Sequence, residues 1–100
     1  MACQLTISPE QVHSLCSRWQ VRELALFGSV LREDFSDSSD IDVLVSFKPE
    51  TRWSAWDLMR MKEELENLFG RPVDLIEKEA LRNPWRKQEI LRTHEVIYAA

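Results

Sequence analysis

The chain has 100 residues, 44% hydrophobic and 30% charged, with two glycines, a composition that fits one folded domain and excludes a disordered or fibrous chain. A formal net charge of −4 and a pI near 5.2 speak against a general electrostatic grip on nucleic acid. Cys3 and Cys16 stand at no metal-ligand spacing from His13 or His94, and no segment approaches the roughly 20 apolar residues that span a bilayer; neither a zinc site nor a membrane span is expected, and the chain reads as cytoplasmic, with two thiols rather than a disulfide.

Ser8-Pro9-Glu10-Gln11 combines a capping hydroxyl, a proline for the first helical position and a glutamine three residues on, so a helix starts here with Val12, Leu15, Cys16 and Trp19 on one face. Glu23-Leu24-Ala25-Leu26-Phe27 is short and apolar and ends at Gly28, which predicts a buried strand. One or two helical turns over Val30–Asp34 and a polar connector follow. Ile41, Val43 and Val45 then alternate with Asp42, Leu44 and Ser46, the period of a strand, which Pro49 closes.

From about Ser54 to Phe69 the apolar positions Leu58, Met61, Leu65, Leu68 and Phe69 recur at three- and four-residue steps, with Gly70 and Pro72 as stop signals. Val73-Asp74-Leu75-Ile76 predicts a third strand. Asn83-Pro84 opens a last helix carrying Trp85, Ile90 and Leu91, and Glu95–Tyr98 a fourth strand. The expected fold is α/β, or α+β if the sheet is mixed: a small sheet of three to four strands in one domain over residues 1–100, with helices packed on one side.

Asp40 and Asp42 flank one residue at the head of a strand, and the period of two turns both carboxylates to the same side. Two like charges so close are costly unless a cation attends them, and magnesium suits, because it takes few protein carboxylates and completes its octahedron with water and phosphate oxygens. Asp74 stands in an otherwise apolar strand, where a charge without a purpose would be expensive. Were its strand beside that of Asp42, the three acids could hold one or two Mg²⁺ ions for in-line displacement at phosphorus. Gly28-Ser29 falls at a strand-to-helix turn that lets a backbone approach phosphates, and Arg32 on the first helical turn brings a cation back toward them.

The segment FGSVLREDFSDSSDIDVLV, with its G-S-x-x-R and S-D-I-D, together with the later R-P-V-D-L strand, resembles the polymerase-beta-like nucleotidyltransferase superfamily and, within it, the minimal nucleotidyltransferases (MNT). The resemblance covers about Leu24 to Ile97. It implies that Gly28 and Ser29 hold the triphosphate of ATP, that Arg32 is the motif arginine, that Asp40 and Asp42 ligate magnesium, and that Asp74 shares a metal and helps activate the acceptor hydroxyl. It further implies an antitoxin that transfers AMP from ATP to a tyrosine of a HEPN-domain toxin.

Larger relatives carry an added helical domain for base and acceptor; no segment here can serve as one, so a partner chain or a second copy must supply recognition. Trp53, Trp56 and Trp85 are candidates for that contact, against a reading in which they cap the core. His13 and His94 read as structural or exposed, and Arg82, Arg86, Lys87 and Arg92 as a solvated basic face on the last helix. The rival readings are a binding module that neutralises its partner by occlusion, and transfer to a small molecule or an RNA end.

Overall fold

The computed structural model describes residues 8–28 and 40–100. Helix α1 spans Pro9–Arg18, with the Ser8 hydroxyl accepting the Gln11 N–H at 3.4 Å and Pro9 in the first turn, where a missing N–H costs nothing. Val12, Leu15 and Cys16 form its buried stripe. After Trp19 and Gln20 the chain enters β1, Val21–Phe27.

Strand β2, Ile41–Phe47, runs antiparallel to β1; β3, Val73–Glu77, runs parallel to β2; β4, Glu95–Ala99, closes the far side antiparallel to β1, in the order β3-β2-β1-β4. Two parallel strands need a crossover. Helix α2, Ala55–Phe69, supplies it. Its start is fastened by a capping box, in which the Ser54 hydroxyl accepts the Asp57 N–H at 3.2 Å while the Asp57 carboxylate accepts the Ser54 N–H at 2.9 Å; its end is turned by Gly70 at φ 71°. A single 3-10 turn, Lys78–Ala80, leads to α3, Pro84–Thr93, capped by the Asn83 side chain on the N–H groups of Trp85 and Arg86.

Alternation along the strands sorts the interior into two layers. Leu24, Leu26, Ile41, Val43, Val45 and Val73 turn to the side of α1 and α2, where they meet Val12, Leu15, Cys16, Met61 and Leu65. Fully burying one such leucine or isoleucine is worth about 1.5–3 kcal/mol, and truncating Leu65 to alanine would cost about 2–5 kcal/mol. The opposite face carries Ala25, Phe27 and Leu44, covered by Ile90 with Leu91, Leu81 and Ile76 against it. The expectation of helices on one side thus describes α1 and α2, while α3 lies on the other face. A second apolar face needs cover of its own, and α3 provides it.

Cys16 is a free, buried thiol, and burial pushes its pKa up to about 12; Cys3 lies outside the described residues. Arg18 and the Trp19 indole both donate to the Glu64 carboxylate, at 3.0 and 2.5 Å, and tie α1 to α2. Partial burial would raise the Glu64 pKa, but these hydrogen bonds and the charges of Arg18 and Arg60 outweigh it and hold the carboxyl below its ordinary value. Among the described residues no helix is long and apolar enough to cross a membrane.

Candidate functional site

Because β1 is antiparallel to β2 and β2 parallel to β3, the end of β1 and the starts of β2 and β3 lie at one end of the sheet. Phe27 pairs with Asp42, and Asp42 pairs in register with Asp74. Strands are about 4.8 Å apart, so the two acids are immediate cross-strand neighbours. Asp42 shares the face of Leu44, so its carboxylate stands on the α3 side of the sheet. The strand starts are held by the Ile41 N–H donating to the Pro72 carbonyl at 2.9 Å and the Val73 N–H donating to the Glu66 carboxylate at 3.0 Å.

Gly28 completes this corner. It sits at φ 78°, in the left-handed region, and a Cβ built on it would overlap Oδ2 of Asp42 and lie 3.1 Å from its Cγ. Only glycine lets the backbone pass this close beneath the carboxylate.

The residues singled out from the sequence fall into three groups. Gly28 and Asp74 both lie against Asp42. Asp40 lies one residue before β2 and is exposed, so the strand period orients Asp42 but does not govern Asp40; both residues are engaged in polar interactions. Ser29 and Arg32 lie outside the described residues. Contrary to the expectation of a costly charge, Asp74 is exposed on an outer strand, where a charge costs little; its register with Asp42 is what marks it. Glu66 was not legible in this role, since a helix carboxylate that caps the first N–H of a strand seven residues later leaves no periodic signal.

The donor set is all carboxylate oxygen, the chemistry of a hard divalent cation. Among the described residues no group of three His, Cys, Asp or Glu side chains stands ready to hold a metal by itself. An ion that fits here takes one or two protein carboxylates and completes its shell from water and a phosphate-bearing ligand, as magnesium does.

The tryptophans divide. Trp53 belongs to the interior, with its indole N–H donating to the Trp19 carbonyl at 2.9 Å and its ring edge-on to Trp19 at 4.8 Å. Trp56 and Trp85 are 76% and 80% exposed. His13 packs edge-on against Tyr98, and His94 Nδ1 is 2.8 Å from the Leu91 carbonyl; neither reaches the acidic corner by any of these contacts.

The mixed four-stranded sheet and the corner of Gly28, Asp42 and Asp74 lie within residues 9–97, which the model of the nucleotidyltransferase domain matches. The chain belongs to this family, among its minimal members, and is a nucleotidyltransferase. It is 39% identical over 84 residues to protein adenylyltransferase MntA of Thermococcus cleftensis, covering 84% of this chain and 80% of that one. A solved structure of a candidate minimal nucleotidyltransferase superposes with a TM-score of 0.70 at 34% identity, covering 87% and 86% of the two chains. The fold also recurs, at 16% identity and a TM-score of 0.65, in a complex between a tri-AMPylated HEPN toxin of Shewanella oneidensis and an MNT antitoxin, over 92% of this chain and 70% of that one.

Proposed function

We propose that this chain acts as one domain that transfers AMP from ATP to a tyrosine hydroxyl of a HEPN-type toxin, and so works as its antitoxin. The observation that carries the reading is the in-register pair Asp42 and Asp74 beside Gly28, in a chain whose relative is named for protein adenylylation. The acceptor oxygen attacks the α-phosphorus of ATP, the bond to the β-phosphate oxygen breaks, and pyrophosphate leaves. Magnesium, when bound, offsets the charge on the phosphates and lowers the pKa of the attacking hydroxyl. Asp40 and Asp42 would hold it, and Asp74 would stand at the same metal site and take the hydroxyl proton. Gly28 and Ser29 cradle the triphosphate and Arg32 adds a fixed cation to it. The partner brings the tyrosine to the acidic corner, on the sheet face that Asp42 shares with Leu44.

The test mixes the protein with magnesium, labelled ATP and its HEPN partner. Label is expected on the partner and is expected to vanish with Asp42→Asn, which preserves shape against Gly28. Neutralisation of the partner that persists unchanged in Asp42→Asn, with no label transferred by the native chain, would replace transfer with occlusion. ATP consumption without labelled protein would point to a small-molecule or RNA acceptor.

A further inference from the structure

At the sheet end remote from Gly28, Asp42 and Asp74, a cavity of about 420 Å³ opens among Arg22, Lys48, Arg52, Trp53, Glu77 and Glu79. Asp42 and Phe47 are five strand positions apart, about 17 Å at the rise of a β-strand, so this cavity is separate from the acidic corner. Two turns in uncommon conformations frame it. Gln20 before β1 and Glu50 after β2 hold positive φ, at 54° and 72°. The turn Lys48-Pro49-Glu50-Thr51 is closed by the Thr51 N–H on the Lys48 carbonyl at 3.3 Å, and the Lys48 N–H donates to the Gln20 carbonyl at 2.9 Å, which joins the two turns. Non-glycine residues persist in this region where their surroundings over-determine them, and they gather at binding sites.

The walls are also fixed. Ser46, 1% exposed, accepts from Arg22 Nη2 at 3.1 Å and donates to Glu79 Oε2 at 2.9 Å, so both side chains are tied to one buried hydroxyl. Trp53 is pinned by Trp19. Among the described residues neither Lys48 nor Arg52 is held in an ion pair. Two uncommitted cations match a dianion, and guanidinium groups suit phosphate oxygens.

We propose that this cavity is a second ligand site, which takes a phosphate monoester. Lys48 and Arg52 meet the dianion, Arg22 backs them, Trp53 and Phe47 form an apolar wall for the group that carries the phosphate, and Glu77 accepts from a hydroxyl or amino group on it. The volume lies in the range of about 300–1,000 Å³ common to small-molecule sites.

The test titrates the isotope-labelled full chain with AMP and, separately, with inorganic phosphate, in EDTA, and follows its amide and indole resonances. Shifts are expected at Arg22, Lys48, Arg52 and the Trp53 indole. They should weaken by at least about tenfold in Lys48→Glu/Arg52→Glu, by less in Arg52→Gln, and persist in Asp42→Asn, which separates this site from the acidic corner. Tighter binding of AMP than of phosphate supports the monoester and its aromatic wall; equal binding would reduce the site to inorganic phosphate and overturn the monoester. No shift at this end with both ligands, or shifts that survive the charge reversals in a folded variant, would overturn it.

Discussion

Replacing Gly28 by alanine, with Gly70→Ala as its partner experiment, separates backbone conformation from contact with the acidic corner. The two glycines hold almost the same backbone conformation, φ 78° and 71°, but a Cβ at Gly70 meets nothing within 4 Å whereas one at Gly28 overlaps the Asp42 carboxylate. The left-handed region costs a non-glycine residue about 1–2 kcal/mol, and the stiffer unfolded chain returns about 0.4–1 kcal/mol. Gly70→Ala should therefore destabilise by about 1 kcal/mol, lowering the melting temperature by about 4–8 °C for a domain of this size. Gly28→Ala adds to this an overpacking cost of about 1–3 kcal/mol and turns the Asp42 carboxylate aside. A misplacement on the order of 1 Å costs on the order of 10²-fold in rate. Urea unfolding gives the stabilities, and a labelled-ATP transfer assay gives the rates. Transfer should fall about a hundredfold in Gly28→Ala and stay at the native level in Gly70→Ala. Equal rates in the two variants would refute the argument that Gly28 is required by Asp42.

Glu50→Gly should stabilise the chain by up to about 1 kcal/mol in urea unfolding, because Glu50 occupies the positive-φ position of a turn that favours glycine. Glu64, whose pKa is depressed in the folded state, contributes stability that is present above its ordinary value near 4.5 and lost as pH falls through the lower folded value. Melting temperatures of the native chain and Glu64→Gln should accordingly converge below that pH; the effect is small, since the Arg18–Glu64 pair is exposed. In a Cys3→Ser background the remaining thiol, Cys16, should react with a disulfide reagent at neutral pH only at the rate of unfolding, and rapid labelling of folded protein would contradict its burial.

Local signals in the sequence were strong wherever one residue type fixes one backbone state. Ser8-Pro9, Asn83-Pro84 and Gly70 each mark a helix end that the structure has at that place. Strand β1 starts at Val21, two residues before its apolar run suggested, because Arg22 is accommodated at an irregularity in the pairing with β2. Strand order was beyond reach, since pairing depends on contacts far apart in the chain. The cover that α3 gives Leu44 and Phe27 was equally hidden, for α3 buries Ile90 alone and its apolar stripe is weak. At the site, the period of two gave the face of Asp42, while the neighbouring strand that sets Asp74 beside it entered only as a condition. Spacing could not foretell the collision that reserves position 28 for glycine, nor the cluster of Arg22 with Lys48 and Arg52, which come from two segments far apart in the chain.

The register between β2 and β3 has a bearing on molecular quality control. Val73 is buried beside Ile41, while Asp74 faces the other way. A slip of β3 by a single residue would carry Asp74 into the oily layer under α2 and expel Val73 into water. A molecule assembled with its acids misaligned would thus be disfavoured by its own interior, and would unfold or be degraded rather than accumulate as inert protein. Specific activity in a preparation of this chain should therefore track the folded fraction closely.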